Sequence, residues 1–275
     1  MTFLVTGATG KAGREVVAHL VGAGHHVRAL TRDPAKANLP AAVEVVQGDL
    51  ISPETLIPAL DGVVGVHVLT SVGDDYVTPQ TGPELVELFE RAGVRRATVL
   101  WSGQSGPVEA AFAAGSVPWT HLRPVDFMGN ALTWAESIRT SGGVEEAFGD
   151  SRGSSVHESD IGAVAAAALT SDGHAGKAYA LTGPEVLTPR QRLAIIGATL
   201  GRDLEFVELA EARARERWHA AGYSDELIES LVRWHADPPE AAYAVTSVVE
   251  DVLGRKPLTF TEWASSNIGA FTSKR

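Results

Sequence analysis

The sequence predicts an α/β fold, a doubly wound parallel sheet followed by a smaller, mostly helical C-terminal lobe. Two observations carry this. Apolar runs of strand length alternate with stretches whose apolar residues recur every three or four positions, the pattern of parallel strands joined by crossover helices. The first run, Phe3-Leu4-Val5, also passes straight into Thr6-Gly7-Ala8-Thr9-Gly10-Lys11-Ala12-Gly13, an order of strand, glycine turn and helix start.

Each element follows from local pattern. Ala12, Val16, Val17 and Leu20 fall on one face of the first helix, which Gly22 and Gly24 end. His26 to Leu30 reads as the second strand, ending at Thr31-Arg32-Asp33-Pro34, and Val43 to Gln47 as the third, ending at Gly48-Asp49-Leu50. Ser52 stands where it would cap a helix with Pro53 at its first position. Gly65 to Thr70 is the expected fourth strand, Pro83 to Ala92 an amphipathic helix closed by Gly93, and Ala97 to Trp101 the fifth strand, running into Ser102-Gly103. A short helix over Pro107 to Ala114 leads to a sixth strand at Trp119 to Arg123 and then to Pro124-Val125-Asp126-Phe127-Met128-Gly129-Asn130. Gly7, Thr31, Asp49, Thr70 and Ser102 all fall at carboxyl ends of strands, the edge where a doubly wound sheet binds its ligand.

Beyond about Gly129 the alternation loosens. Ser159-Asp160 is expected to cap a helix through Leu169, Ala178 to Thr182 reads as a strand, Thr188-Pro189 opens another helix, and Leu209 to His235 is mostly helical. The expected division is a sheet domain over residues 1–150 and a lobe over 151–275, interleaved as one structural unit. Trp218 and Trp234 are candidates for an aromatic pocket in that lobe, or for packing between the lobes.

Composition narrows the function classes. The chain has 275 residues with 34 acidic against 23 basic side chains, a formal charge of -11 and no basic cluster, which argues against nucleic acid as the main ligand. It has no cysteine, so disulfides, thiol catalysis and thiolate metal sites are excluded. No long apolar run or signal peptide is present, so no membrane association is expected and the cytoplasm is the default location. No HExxH or comparable spacing suggests a metal site, and no Gly-x-Ser-x-Gly supplies a nucleophile elbow.

The glycine turn is the informative feature. Gly7 can make the tight turn out of the strand, Gly10 lets backbone approach a phosphate, and Gly13 lets the helix pack on the sheet, so that the positive helix end faces a pyrophosphate. At the tip of the second strand an acidic residue would select NAD through the ribose 2′-OH, whereas a basic one accommodates a 2′-phosphate. The tip here is Thr31-Arg32, with Arg28 nearby, which favours NADP(H) over NAD(H). The competing reading leaves Arg32 in solvent and turns Asp33 inward to the ribose.

Val5-Thr6-Gly7-Ala8-Thr9-Gly10, Arg28-Ala29-Leu30-Thr31-Arg32-Asp33-Pro34, Gly48-Asp49-Leu50 and Leu122-Arg123-Pro124 with Phe127 and Asn130 occur in order. Ser159-Asp160-Ile161-Gly162, Leu181-Thr182-Gly183-Pro184 and Gly254-Arg255-Lys256-Pro257 with Thr259, Phe260 and Trp263 follow. Together they resemble the NmrA-like, or atypical, branch of the short-chain dehydrogenase/reductase superfamily over nearly the whole chain. The resemblance implies a Rossmann-type sheet in which Gly7, Thr9, Gly10, Lys11, Ala12 and Gly13 line the pyrophosphate and Arg32 takes the 2′-phosphate. It places Asp49 and Leu50 at the adenine, and the end of the fourth strand, Leu69, Thr70 and Ser71, along the cofactor.

Catalysis carries over less completely. Typical members pair a serine at the end of strand five with a Tyr-x-x-x-Lys that supplies a proton to a carbonyl. Ser102 matches the serine, but none of Tyr76, Tyr179, Tyr223 and Tyr243 is followed by lysine four residues on, and no Tyr or Lys lies between Ser102 and Trp119. A quinone or extended enone delocalises the charge that a hydride leaves and can take its proton from water, so the expected substrate is a small aromatic or conjugated molecule. Ser102, Gln104, Asp126 and Asn130 are the polar candidates beside it, with Ser102, Asp126 and Asn130 the catalytic expectation and Asp126 a general acid only if burial raises its pKa. Two alternatives stay open: a non-catalytic dinucleotide sensor, as in the family's regulatory members, and a non-redox tailoring enzyme. Assembly is left open, a homodimer included.

Overall fold

The computed structural model of the protein describes residues 1–71, 78–101 and 105–272. Its strands are β1 (Thr2–Val5), β2 (His26–Thr31), β3 (Glu44–Gln47), β4 (Val63–Leu69), β5 (Arg96–Leu100), β6 (Trp119–Pro124), β7 (Gly143–Glu146), β8 (Lys177–Leu181) and β9 (Glu205–Glu208). The main sheet is wholly parallel in the order β3-β2-β1-β4-β5-β6-β8, while β7 pairs with β9 in a small parallel sheet of its own. The order reverses at β1, where Val5 lies between Ala29 of β2 and His67 of β4. Such a reversal opens a crevice at the carboxyl ends of β1 and β4.

The chain forms two compact units, and it passes between them at residues 124/125, 157/158, 181/182, 247/248 and 255/256. The first crossing comes well before the boundary expected near residue 150. The first unit holds the main sheet with α1 (Lys11–Gly22), α2 (Gly82–Arg91) and α3 (Pro107–Ala114). Leu4, Leu30, Val66, Val68 and Val99 of its strands pack with Leu85 and Phe89 of α2 and Phe112 of α3 in one core. Burying each such side chain contributes about 1.5–3 kcal/mol.

Between β6 and β8 the chain forms α4 (Ala135–Ser141) in the second unit and α5 (Glu158–Thr170) in the first. The remaining helices are α6 (Pro189–Leu200), α7 (Glu211–Ala220), α8 (Asp225–Ala236), α9 (Glu240–Tyr243), α10 (Val248–Leu253), α11 (Phe260–Ser266) and α12 (Ile268–Phe271). The core of the second unit centres on Trp263, whose ring stacks on Phe260 at 5.1 Å and meets Phe271 edge-on at 6.2 Å, with Met128, Ile138 and Ile196 packed around them.

Two expected details change and a third holds. Pro53–Leu60 is a 3-10 helix, not an α-helix, and Ser52 makes no side-chain cap: Thr55 Oγ1 donates to the Ser52 carbonyl at 2.6 Å, and Pro58 cannot donate to an α-helical ladder. Ser159 and Asp160 lie inside the first turn of α5 rather than ahead of it, and the fully buried Asp160 carboxylate receives Arg255 at 2.7 Å. Thr188 does cap α6, in a reciprocal capping box with Gln191 and with Pro189 at the first position.

Two histidines stand inside the main sheet. His67 on β4 is fully buried, with Nδ1 2.8 Å from Thr98 Oγ1, and burial pushes it down to about 4. His121 on β6 lies against Trp119 at 4.1 Å and is likewise held at about 4, by burial and then by the Arg123 charge. Both are neutral in the fold, whereas the unfolded chain takes up protons on them below about pH 6.5. Stability is therefore fully present above about pH 6.5 and falls as the pH drops towards 4, by about 3 kcal/mol for His67 alone. Urea midpoints measured across this range should decline, and His67→Leu should flatten the decline.

Candidate functional site

The crevice at the carboxyl ends of β1 and β4 is built from backbone. Thr6 ties the two strands together: its N–H donates to the His67 carbonyl at 2.9 Å, and its Oγ1 accepts from Leu69 N–H at 2.9 Å. One strand over, Thr70 Oγ1 donates to the Leu100 carbonyl at 3.1 Å, fixing the end of β4 to β5. The chain then turns through Gly7 at φ +60°, a region side chains disfavour, and a Cβ there would fall 2.1 Å from Leu69 Cδ1. Gly10 N–H closes the turn on the Gly7 carbonyl at 2.9 Å and stands at the N-cap of α1, where no side chain caps the helix. A Cβ on Gly13 would lie 2.1 Å from the Gly7 carbonyl oxygen, so the first turn of α1 rests directly on the turn before it.

The result is a concave run of backbone ending in an uncapped helix N-terminus, with exposed Thr9, Gly10 and Lys11 at its rim and buried Ala12 and Gly13 beneath. Amide N–H groups and the positive helix end suit a diphosphate there. Arg14 braces the rim from behind, its Nε donating to the Thr9 carbonyl at 2.7 Å and its guanidinium to the Asn38 carbonyl at 3.2 Å.

The tip of β2 bears on the competing readings of Arg32 and Asp33. The Asp33 carboxylate caps its own turn: it accepts Ala35 N–H at 3.2 Å and pairs with Lys36 Nζ at 3.1 Å, and the Lys36 hydrogen bond is the main cause holding its carboxyl below the usual range. Arg32 is exposed, and among the described residues its guanidinium has no hydrogen-bond or ionic partner. Arg28 is committed elsewhere, to Glu44 at 2.8 Å and to the Ala59 carbonyl at 3.1 Å, and does not add to the tip. Asp49 Oδ1 accepts Ile51 N–H at 3.1 Å and shapes the turn that buries Leu50 after β3. Leu69 is the residue against which Gly7 packs, Thr70 is buried, and Ser71 follows half-buried at the end of β4.

Of the expected reaction residues, Ser102 and Gln104 lie outside the described residues. Asp126 and Asn130 belong to the second unit. The Asp126 carboxylate accepts Asn130 Nδ2 at 2.7 Å on one oxygen, and Ser155 Oγ at 2.6 Å and Arg192 at 3.0 Å on the other. Three donors, one of them a guanidinium, thus converge on the carboxylate that is the candidate general acid. Asp126 holds Asn130, Ser155 and Arg192 in place, and Asn130 sits in a 3-10 turn, Met128–Trp134, with its amide nitrogen on Asp126. Arg192 and Ser155 were not foreseen; both are read only once α6 and the segment before α5 are seen to converge on Asp126.

Gly13→Ala forces a methyl group against a backbone carbonyl. It should weaken dinucleotide binding, measured by calorimetry, by about tenfold or more while leaving the far-ultraviolet circular dichroism of the sheet in place.

Residues 7–115 match a family model described as NAD(P)H-binding. The chain is 36% identical over 283 residues, 98% of each chain, to a (4-alkanoyl-5-oxo-2,5-dihydrofuran-3-yl)methyl phosphate reductase of Streptomyces griseus. It is 34% identical, again over 98% of each, to an NAD(P)H azoreductase of Xenophilus azovorans. Among solved structures it is similar to the NADPH complex of an NADPH-dependent quinone oxidoreductase from Escherichia coli, with a TM-score of 0.78 and 24% identity over 96% of this chain and 99% of that one.

Proposed function

Because the chain belongs to the NAD(P)H-binding, NmrA-like branch of the atypical short-chain dehydrogenases/reductases, we propose that it is an NADPH-dependent oxidoreductase acting on a small quinone-like or conjugated carbonyl substrate. The observation that carries the cofactor half is the tip of β2: a guanidinium without a partner among the described residues beside a carboxylate already used by its own turn. Gly7, Gly10 and Gly13, with Thr9, Lys11 and Ala12, would hold the pyrophosphate, and the absence of Cβ atoms at the three glycines is what that contact requires. Arg32 would take the 2′-phosphate, Asp49 and Leu50 would border the adenine, and Leu69, Thr70 and Ser71 would run beside the remainder. Bound there, a reduced nicotinamide supplies a hydride.

The substrate half rests on what the chain lacks in sequence and on what relatives are named for. No Tyr-x-x-x-Lys is present to give a ketone its proton, and the one carboxylate expected to do so already accepts Asn130, Ser155 and Arg192. An acceptor that spreads its new charge over a conjugated system, and then takes a proton from water, removes that need. Two electrons and one proton enter as hydride, and water completes the reduction. The azoreductase and the dihydrofuranyl phosphate reductase both bear names of unsaturated acceptors, which supports this reading. Ser102 would donate to a substrate oxygen and Asn130 would orient the ring.

Two measurements test the proposal. Arg32→Ala should lower the NADPH-over-NADH ratio of kcat/KM about ten- to a hundredfold, the worth of a charge-assisted hydrogen bond of roughly 1.5–3 kcal/mol. Absorbance-monitored NADPH oxidation should proceed across a panel of quinones and enones and fail with simple ketones. Tight NADPH binding with no oxidation by any acceptor would sink the enzyme and favour a dinucleotide sensor.

A further inference from the structure

Within the first unit one side chain, Arg14, attaches the segment after β2 to the glycine turn. Arg14 stands in the first turn of α1, where its own N–H donates to the Gly10 carbonyl at 3.1 Å. From there its guanidinium reaches two backbone carbonyls distant in sequence: Nε donates to Thr9 at 2.7 Å and Nη1 to Asn38 at 3.2 Å. Both acceptors are neutral, and among the described residues no carboxylate pairs with Arg14.

The first of these bonds acts on a single peptide plane. A peptide unit is planar and trans, so the Thr9 carbonyl and the Gly10 N–H point in opposite directions. The Gly10 N–H is taken by the Gly7 carbonyl at 2.9 Å, and Arg14 takes the other side of the same plane. The Thr9–Gly10 peptide is thereby held from both sides, directly ahead of a helix N-terminus that no side chain caps. The second bond fixes Asn38, two residues past the 3-10 turn Pro34–Lys36, which Asp33 caps beside Arg32. One guanidinium thus joins the turn assigned to the pyrophosphate to the segment that continues from the group assigned to the 2′-phosphate. Its fork is planar and rigid, so it sets the spacing of the two carbonyls it holds.

We propose that Arg14 is a positioning residue for NADPH: it holds the glycine turn and the tip of β2 at the separation that lets one dinucleotide place its pyrophosphate on the first and its 2′-phosphate on the second. The proposal rests on the NADPH reading of this site. NADH makes only the first of those contacts, so losing the separation weakens NADPH more than NADH. A lysine here would keep the charge, but a compact ammonium on a flexible stem does not hold two carbonyls at a fixed spacing.

Calorimetry of the full chain with NADPH and with NADH tests this. The ratio of NADPH to NADH affinity should exceed one in the native protein and fall about five- to tenfold in Arg14→Met. It should fall to a similar extent in Arg14→Lys, which separates positioning from a direct attraction of the guanidinium charge for a phosphate and decides the matter if Arg14→Met does not fold. Arg95→Met, just before β5 and so at the opposite edge of the parallel sheet, should leave the ratio alone. In a double-mutant cycle Arg32→Ala should cost less NADPH affinity in the Arg14→Lys background than in the native protein, and strictly additive costs overturn the proposal. An unchanged ratio in Arg14→Met, a native ratio in Arg14→Lys, or an equal fall in Arg95→Met also overturns it. A native protein that binds NADPH no more tightly than NADH fails the NADPH reading and takes the proposal with it, a result distinct from a preference that survives the loss of Arg14.

Discussion

The first unit depends on a contact that admits no side chain. Gly7 turns the chain out of β1 under the Leu69 side chain, and Gly13 brings α1 down onto the Gly7 carbonyl. Both positions exclude even a methyl group, for different reasons: one for backbone conformation and packing, the other for packing alone. Because that contact fixes where α1 begins, it also fixes where its unpaired N–H groups point. It sits at the one place where the strand order reverses, so the crevice, the helix end and the bare backbone coincide. Thr6 reinforces the point by tying β1 to β4 through both its backbone and its hydroxyl.

The same economy governs charge. At the tip of β2, Asp33 is consumed by the turn that follows it, and that use leaves Arg32 as the group facing outward. In the second unit Asp126 is likewise consumed, as the acceptor on which Asn130, Ser155 and Arg192 converge. Neighbouring donors therefore decide what each carboxylate can do, and residue type alone does not. A carboxylate that caps or pairs is occupied by its own fold, and the side chains it leaves unpaired become the ones available to a ligand.

Much of the first unit was legible because its signals are local. Strand and helix periods, the glycine turn, Arg32 beside Asp33, and the Thr188-Pro189 start with Gln191 all act within a few residues. What was not legible depends on partners distant in sequence. The β7 and β9 strands are four residues each and pair across some sixty residues, so neither shows a period long enough to read. Asp160 looks like a cap until Arg255 is found beside it, and nothing local shows that Ser155 and Arg192 converge on Asp126. Pro58 was visible, yet its effect, a 3-10 helix in place of an α-helix, required weighing a missing N–H against an otherwise good start. The interleaving was expected, but not where it happens: α5, β8 and α10 return to the first unit from the second half of the chain, and nothing local marks the return.

These constraints bear together on the proposed chemistry. A dinucleotide cradle made of backbone is indifferent to the substrate, so the same turn can serve acceptors of many shapes. What a side chain can add to selectivity then turns on which of its groups its neighbours leave available. In the second unit the Asp126 carboxylate already accepts Asn130, Ser155 and Arg192, while the half-buried Glu146, whose carboxyl burial pushes up, accepts Trp134 Nε1 at 3.0 Å. Donors of this kind stabilise charge already spread over several atoms better than they protonate a localised alkoxide. That suits the proposed substrate class: a conjugated acceptor holds its own charge until water protonates it and asks less of a neighbouring acid.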